Sequence, residues 1–223
     1  FLLIFLCITE IASAQNLVAN PSFEQVKKMP TNWSANSQSF YEIIEDWTSP
    51  NGGSPDVFFI GNMPAPNTPE TRAKTKTRKS TWFQRPNVDV YPHAPRSGNY
   101  MVGMKTYGCI AGTMHCKEYL QTKLTEPLVT GEEYFFEYWV NPIATSVKVN
   151  NFGVYVTDEP LSGGDGEEAI WVRPEFQETS IVDAPVNDWV RIAGTFIAGC
   201  DCEFLIIGNF NVDENTAHKA EAN

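Results

Sequence analysis

Nine residues, Glu133-Tyr-Phe-Phe-Glu-Tyr-Trp-Val-Asn141, restrict what this chain can fold into more than any other stretch. Successive side chains of an extended strand point to opposite faces. Tyr134, Phe136, Tyr138 and Val140 therefore form one apolar face, and Glu133, Phe135, Glu137, Trp139 and Asn141 form the other. A period of two sustained over this length predicts a strand with one face in a core. Similar runs recur. Asp56–Ile60 is a short apolar strand, and Tyr100–Tyr107 sets Val102 and Met104 against Lys105 and Tyr107. Asn151–Thr157 places Phe152, Val154 and Val156 inward, and Asp188–Ala198 does the same with Val190, Ile192 and Phe196. Cys202–Phe210 is apolar on both faces, as a central strand would be.

Between these runs lie turn formers, with 15 Gly and 15 Pro in 223 residues, and this balance favours strands and turns over helices. The predicted fold is an all-β antiparallel β-sandwich, one module spanning residues 15–210. Residues 1–14 read as part of a signal peptide: an apolar run, Phe1–Cys7, then the small-x-small site Ala12-Ser13-Ala14 before Gln15. No later segment has the length of a membrane span, so a secreted or cell-envelope protein is expected. Residues 211–223 read as a polar tail. A formal charge of −11 argues against nucleic acid and anionic membranes as partners. The basic run Arg72–Lys79 has no apolar periodicity and reads as a solvated loop, as does the acidic, Gly-rich Ser162–Glu168, which reads as a flexible turn.

Four cysteines follow the leader: Cys109, Cys116, Cys200 and Cys202. Export makes disulfides the expectation. Cys109 and Cys116 can close the loop between them, whereas a bridge across the single residue Asp201 is strained. Pairing each of Cys200 and Cys202 with one of the first two is equally allowed. A metal site in which His115 joins the sulfurs is the less favoured alternative.

The stretch Asn16-Leu-Val-Ala-Asn-Pro-Ser-Phe-Glu24, with Pro21 confining it to a bend or sheet edge and Phe23 as a core plug, resembles the first strand of carbohydrate-binding modules and related galactose-binding-like jelly rolls. "EYLQTKLTEPLVTGEEYFFEYWV" resembles the central hairpin of such modules, with Cys116–Leu124 and Glu133–Asn141 as adjacent antiparallel strands. "DWVRIAGTFIAG" and "EFLIIGNF" are similar to their paired penultimate strands. The resemblance implies a jelly roll in which Glu24 helps hold a structural calcium. It also implies a closing strand, which the tail after Phe210 lacks, so the chain is expected to continue past Asn223. The pattern looks most like the N-terminal module of exported envelope proteins of Gram-negative bacteria, some of which carry a peptidoglycan-binding domain of the outer-membrane-protein-A type.

A Trp interleaved with a carboxylate and an amide suits sugars, whose C–H faces stack on aromatic rings while hydroxyls take hydrogen bonds. Trp139, Glu137 and Asn141 are therefore the candidate carbohydrate-binding residues, with Tyr119 and Gln121, opposite Leu120 and Leu124, lining the same surface. The alternative is that Trp139 belongs to a small second core under a long loop. Nucleophilic and metal-dependent hydrolysis lack their motifs, and only His93, His115 and His218 are present. Glu118 and Glu137 fall on faces that do not converge, which weakens a glycosidase reading. A lyase using Tyr and Lys is the remaining enzymatic alternative. The expected function is non-catalytic binding of a polysaccharide or glycan; a protein-interaction or spacer module of a larger envelope protein is the other reading.

Overall fold

In chain order the regular elements are α1 (Ser37–Tyr41), β1 (Trp47–Thr48), β2 (Asp56–Gly61), β3 (Ser80–Thr81), β4 (Tyr100–Gly103), β5 (Leu120–Lys123) and β6 (Glu133–Val140). They continue with β7 (Lys148–Val149), β8 (Gly153–Thr157), β9 (Phe176–Gln177), β10 (Val190–Ile197), β11 (Phe204–Gly208), a 3-10 turn at Asp213–Asn215 and β12 (His218–Lys219). They come from a computed structural model that describes residues 15–30, 33–61, 80–81, 94–108, 116–142, 147–164, 166–185 and 188–219. The leader, the basic run at 72–79, His93, Cys109 and His115 lie outside the described residues. No helix among the described residues is long and apolar enough to cross a membrane.

All strand pairing is antiparallel. β1-β5-β11-β8-β9 form a five-stranded sheet, β3-β2-β4 a three-stranded one, and β10-β6 and β12-β7 are pairs. β11 is interior to the largest sheet, as its two apolar faces require. The main core is shared across sheets. Leu120, Val154, Val156, Leu205 and Ile207 of the five-stranded sheet meet Tyr134, Phe136, Tyr138 and Phe196 of the β6–β10 pair, with Val57, Tyr100 and Val102 of the third sheet beside them. Burying each such aliphatic side chain contributes about 2 kcal/mol. The chain is thus all-β and antiparallel, as the alternation predicts.

The expected hairpin is not formed. β5 pairs with β1 and β11, while β6 pairs only with β10 among the described strands. The segments β10 and β11 likewise belong to different sheets. Instead, the connection after β5 and the connection after β10 run side by side. Leu124 N donates to Glu203 O (2.7 Å), Leu128 N to Cys202 O (2.8 Å), Gly131 N to Ala198 O (2.8 Å) and Ala198 N to Glu132 O (2.9 Å). One long antiparallel ribbon therefore bends from the first sheet into the second. The connection at 125–132, with Pro127 and the left-handed Gly131 (φ 90°), is too long for a tight hairpin, and its amides find partners in the neighbouring corner.

Cys200 and Cys202 are bonded to each other in that corner, with Cα atoms 5.0 Å apart. These two therefore pair with each other and not with the first two cysteines. Asp201, between them, accepts from Thr130 N (2.8 Å) and Thr130 Oγ1 (2.7 Å). Cys116 is also a disulfide cysteine.

The two ends of the described chain depart from expectation as well. Asn16–Glu24 contributes one bridge, Val18 to Leu124, rather than a strand. Phe23 nevertheless packs on the core, its ring 5.1 Å from that of Trp47, and Asn20 O accepts from Trp47 Nε1 at 3.1 Å. The polar tail is not a free tail, since β12 pairs with β7 and Asn151 Nδ2 donates to Asn215 O at 2.9 Å. The Ser162–Glu168 loop is fastened too. Gly52 N donates to Gly166 O (2.7 Å), Lys117 N to Glu167 O (2.7 Å), and Lys105 Nζ meets Glu167 Oε2 at 2.7 Å.

Candidate functional site

The outer face of the β6–β10 pair is fixed by register. Arg191 lies opposite Trp139, Ala193 opposite Glu137, Thr195 opposite Phe135 and Ile197 opposite Glu133. Because Tyr134, Phe136, Tyr138 and Ile192 turn into the interior, these eight turn away from it. Phe135 is 61% exposed and Ile197 67% exposed. Arg191 Nε donates to Glu137 Oε2 at 2.7 Å, and its guanidinium stands 5.6 Å from the centroid of Phe135. A second guanidinium, that of Arg96, lies over the ring of Trp139, 3.9 Å from its centroid. The face thus combines aromatic rings with two carboxylates, Glu133 and Glu137, and two guanidinium groups.

Trp139 itself is half-buried, and its Nε1 has no hydrogen-bond partner. The same holds for Nδ2 and Oδ1 of Asn141, two residues further along the same face. Buried polar atoms in this state are uncommon, because each forgoes a bond that water would supply. On the inner face, burial pushes the Tyr138 phenol far above its ordinary value, with Glu178 adding to the effect.

Trp139 and Glu137 share the outer face of β6, Asn141 follows the strand's end with its amide atoms buried, and Tyr119 and Gln121 are not part of that surface. Alternation placed these two on the face of β5 opposite Leu120, and there they are. That face, however, belongs to the other sheet and is covered by the segment 161–172. Tyr119 is completely buried against Ile206 and Phe210, with Leu161, Ile170 and Val172 packed on the cluster. Its hydroxyl donates to Asn209 O (3.0 Å) and accepts from Ile170 N (2.9 Å), and burial pushes the phenol up to about 12. Gln121 Oε1 accepts from Leu161 N at 2.8 Å. A small separate core exists around Tyr119. The apolar Leu161, Ile170 and Val172 in an otherwise polar stretch are the sequence signal for it.

Glu24 has a role that needs no metal. Its Oε1 accepts from Asn99 N and Tyr100 N, both at 2.9 Å, and so holds the turn leading into β4. Gly98 in that turn has φ 66°, and a Cβ there would run into the Glu24 carboxylate. Calcium takes six to eight oxygen ligands. Among the described residues no group of three or more His, Cys, Asp or Glu side chains converges.

Glu118 and Glu137 do not converge. Glu118 is buried in the five-stranded half of the molecule, where Oε2 accepts from Lys105 N (2.7 Å) and Oε1 from Ser54 N (3.2 Å). Desolvation raises its pKa, partly offset by the Lys105 amide. Arg96, Arg191 and Phe135 were not singled out from the sequence as site residues. For Arg191 the signal was present, since Val190 and Ile192 facing inward oblige Arg191 to face outward. Arg96 carries no such signal, because a turn has no period. Comparison with family models, curated proteins and solved structures returns no match.

Proposed function

We propose that this chain is a non-catalytic module of the cell envelope that binds carbohydrate on the outer face of the β6–β10 pair. One observation carries the reading: Phe135, Glu137, Trp139 and Arg191 share one outward sheet face, with the Glu137–Arg191 pair set between the two rings. Rings supply apolar faces for sugar C–H groups, and the carboxylate and guanidinium between them accept and donate to hydroxyls. Their mutual ion pair keeps both groups oriented before a ligand arrives, which lowers the ordering cost of binding. The paired charges cancel, so the face suits a neutral glycan better than an acidic one.

A second reading, a contact surface for another envelope protein, draws on the exposure of Phe135 and Ile197, two large apolar side chains of the same face. The two are separated by changing Trp139→Ala and Ile197→Ser in turn and titrating each with neutral oligosaccharides by calorimetry. Carbohydrate binding requires loss with Trp139→Ala and little change with Ile197→Ser. Absence of heat for every sugar with the folded wild type would favour the protein partner.

A further inference from the structure

A concave site on the other side of the molecule has a different construction. It is a groove of about 360 Å3 lined by Lys27, Tyr41, Glu45, Asp46, Thr48, Gln121, Lys123, Pro160 and Phe204. Its floor is the outward face of β1, β5 and β11, where Thr48 lies opposite Gln121 and Phe204 opposite Lys123. Gln121, almost fully buried, binds both backbone groups of Leu161, with Oε1 accepting from Leu161 N (2.8 Å) and Nε2 donating to Leu161 O (3.4 Å). It thereby holds the Pro160 wall upright. On the opposite wall Lys27 Nζ donates to Tyr41 O at 2.8 Å and stands 3.4 Å from the Tyr41 ring centroid, fixing a ring that remains 46% exposed.

The rim is also pre-formed. Asp46 has φ 65°, a left-handed conformation that Asp tolerates. It is imposed by its neighbours: Glu45 is fastened through Glu45 N to Gln25 O (3.0 Å), and Trp47 is buried in the core. The lining thus combines two aromatic residues, Tyr41 and Phe204, with the carboxylates of Glu45 and Asp46 and the ammonium of Lys27.

The geometry points to this groove as a second saccharide subsite, taking one or two rings of a neutral sugar. Lys123 Nζ is paired with Glu203 at 2.6 Å, so Lys27 alone stands against Glu45 and Asp46, which disfavours an anionic ligand. A hydroxylated ring can satisfy donors and acceptors together, with its C–H face on Tyr41 or Phe204. The groove and the β6–β10 face point outward from different sheets with the main core between them. If both are occupied, the module links two glycan chains, and avidity rises without a new contact. That cross-linking consequence rests on the reading proposed above; the groove itself does not.

The test is an amide NMR titration of the 15N-labelled wild-type protein with neutral trisaccharides of glucose, xylose, mannose and N-acetylglucosamine. A parallel titration uses the double variant Tyr41→Ala, Asp46→Asn, in which Asn keeps the left-handed backbone. The expected result is a set of shifting amides at 45–48, 123 and 204 that saturates separately from a set at 135–139 and 191 and is lost in the double variant. Shifts confined to 135–139 and 191 overturn the groove and leave the first reading standing. Shifts confined to the groove do the reverse. A well-dispersed spectrum that no sugar perturbs overturns both.

Discussion

Glu118 and Lys117 are adjacent in sequence and both buried, and each is held in a different way. The Lys117 ammonium has no exposed side-chain surface; it meets Asp213 Oδ1 at 2.5 Å and donates to Thr106 O at 2.8 Å. Desolvation lowers its pKa, with Asp213 opposing. Lys117→Met removes one partner of a buried pair and is expected to destabilise by about 3 kcal/mol, measured by urea unfolding. Its effect reaches the chain end, because Asp213 begins the turn before β12. For Glu118, loss of the carboxylate leaves the Ser54 and Lys105 amides unsatisfied, so Glu118→Ala is expected to cost about 2 kcal/mol. Its folded pKa lies above the ordinary value of 4.5. The associated stability is complete below that value and is lost as pH rises through the folded pKa. Asp183 behaves oppositely. Hydrogen bonds from Lys148 and Lys219 hold it near about 2, so its contribution is present above 3.8 and is lost as pH falls through about 2. The melting temperature should therefore rise as pH falls from neutral to about 5, and Glu118→Gln should reduce that rise. An unchanged pH profile in Glu118→Gln would remove Glu118 from this account.

At the scale of elements, the corner between sheets and the covered face of β5 are the decisive features. A Cβ at Gly208 of β11 would collide with the ring of Tyr119, which is fully buried and cannot retreat. Gly208→Ala is expected to destabilise by about 2 kcal/mol by overpacking, read from chemical unfolding. At the corner, Asp201→Ala removes the acceptor for both groups of Thr130, and faster amide exchange at Thr130 and Gly131 is the expected readout. The longer strands were readable from the sequence, whereas the two-residue strands β1, β3, β7, β9 and β12 were not. The inward residues of β6, β8 and β10 follow from alternation alone, and the two apolar faces of β11 announce an interior strand. Their partners were not readable. Alternation assigns a face but not a neighbour, so Cys116–Leu124 and Glu133–Asn141 looked like a hairpin when they lie in different sheets. The cover over Tyr119 and Gln121 was missed for a related reason. It comes from residues 161–172, some 40 positions away in the Gln121–Leu161 contact, and local pattern carries no information on that distance.

For the whole molecule, one bent ribbon joins the two sheets, so each presents an outward face with its own chemistry. The β6–β10 face carries rings around an ion pair, with Arg96 over Trp139; the other is a walled groove where Pro160 meets β1, β5 and β11. The first site was half visible in the sequence, since Trp139, Glu137 and Asn141 share a face by period. Its arginines come from a neighbouring strand and a turn, and only the fold brings them together. The central claim is that the β6–β10 face binds a neutral glycan through Trp139. Affinity electrophoresis of wild type and Trp139→Ala, in gels with and without dissolved neutral polysaccharides, tests it most directly. The account predicts that at least one polysaccharide retards the wild type, while the variant, folded by circular dichroism, migrates as in the plain gel. Equal retardation of both proteins, or no retardation of the wild type in any gel, would contradict it.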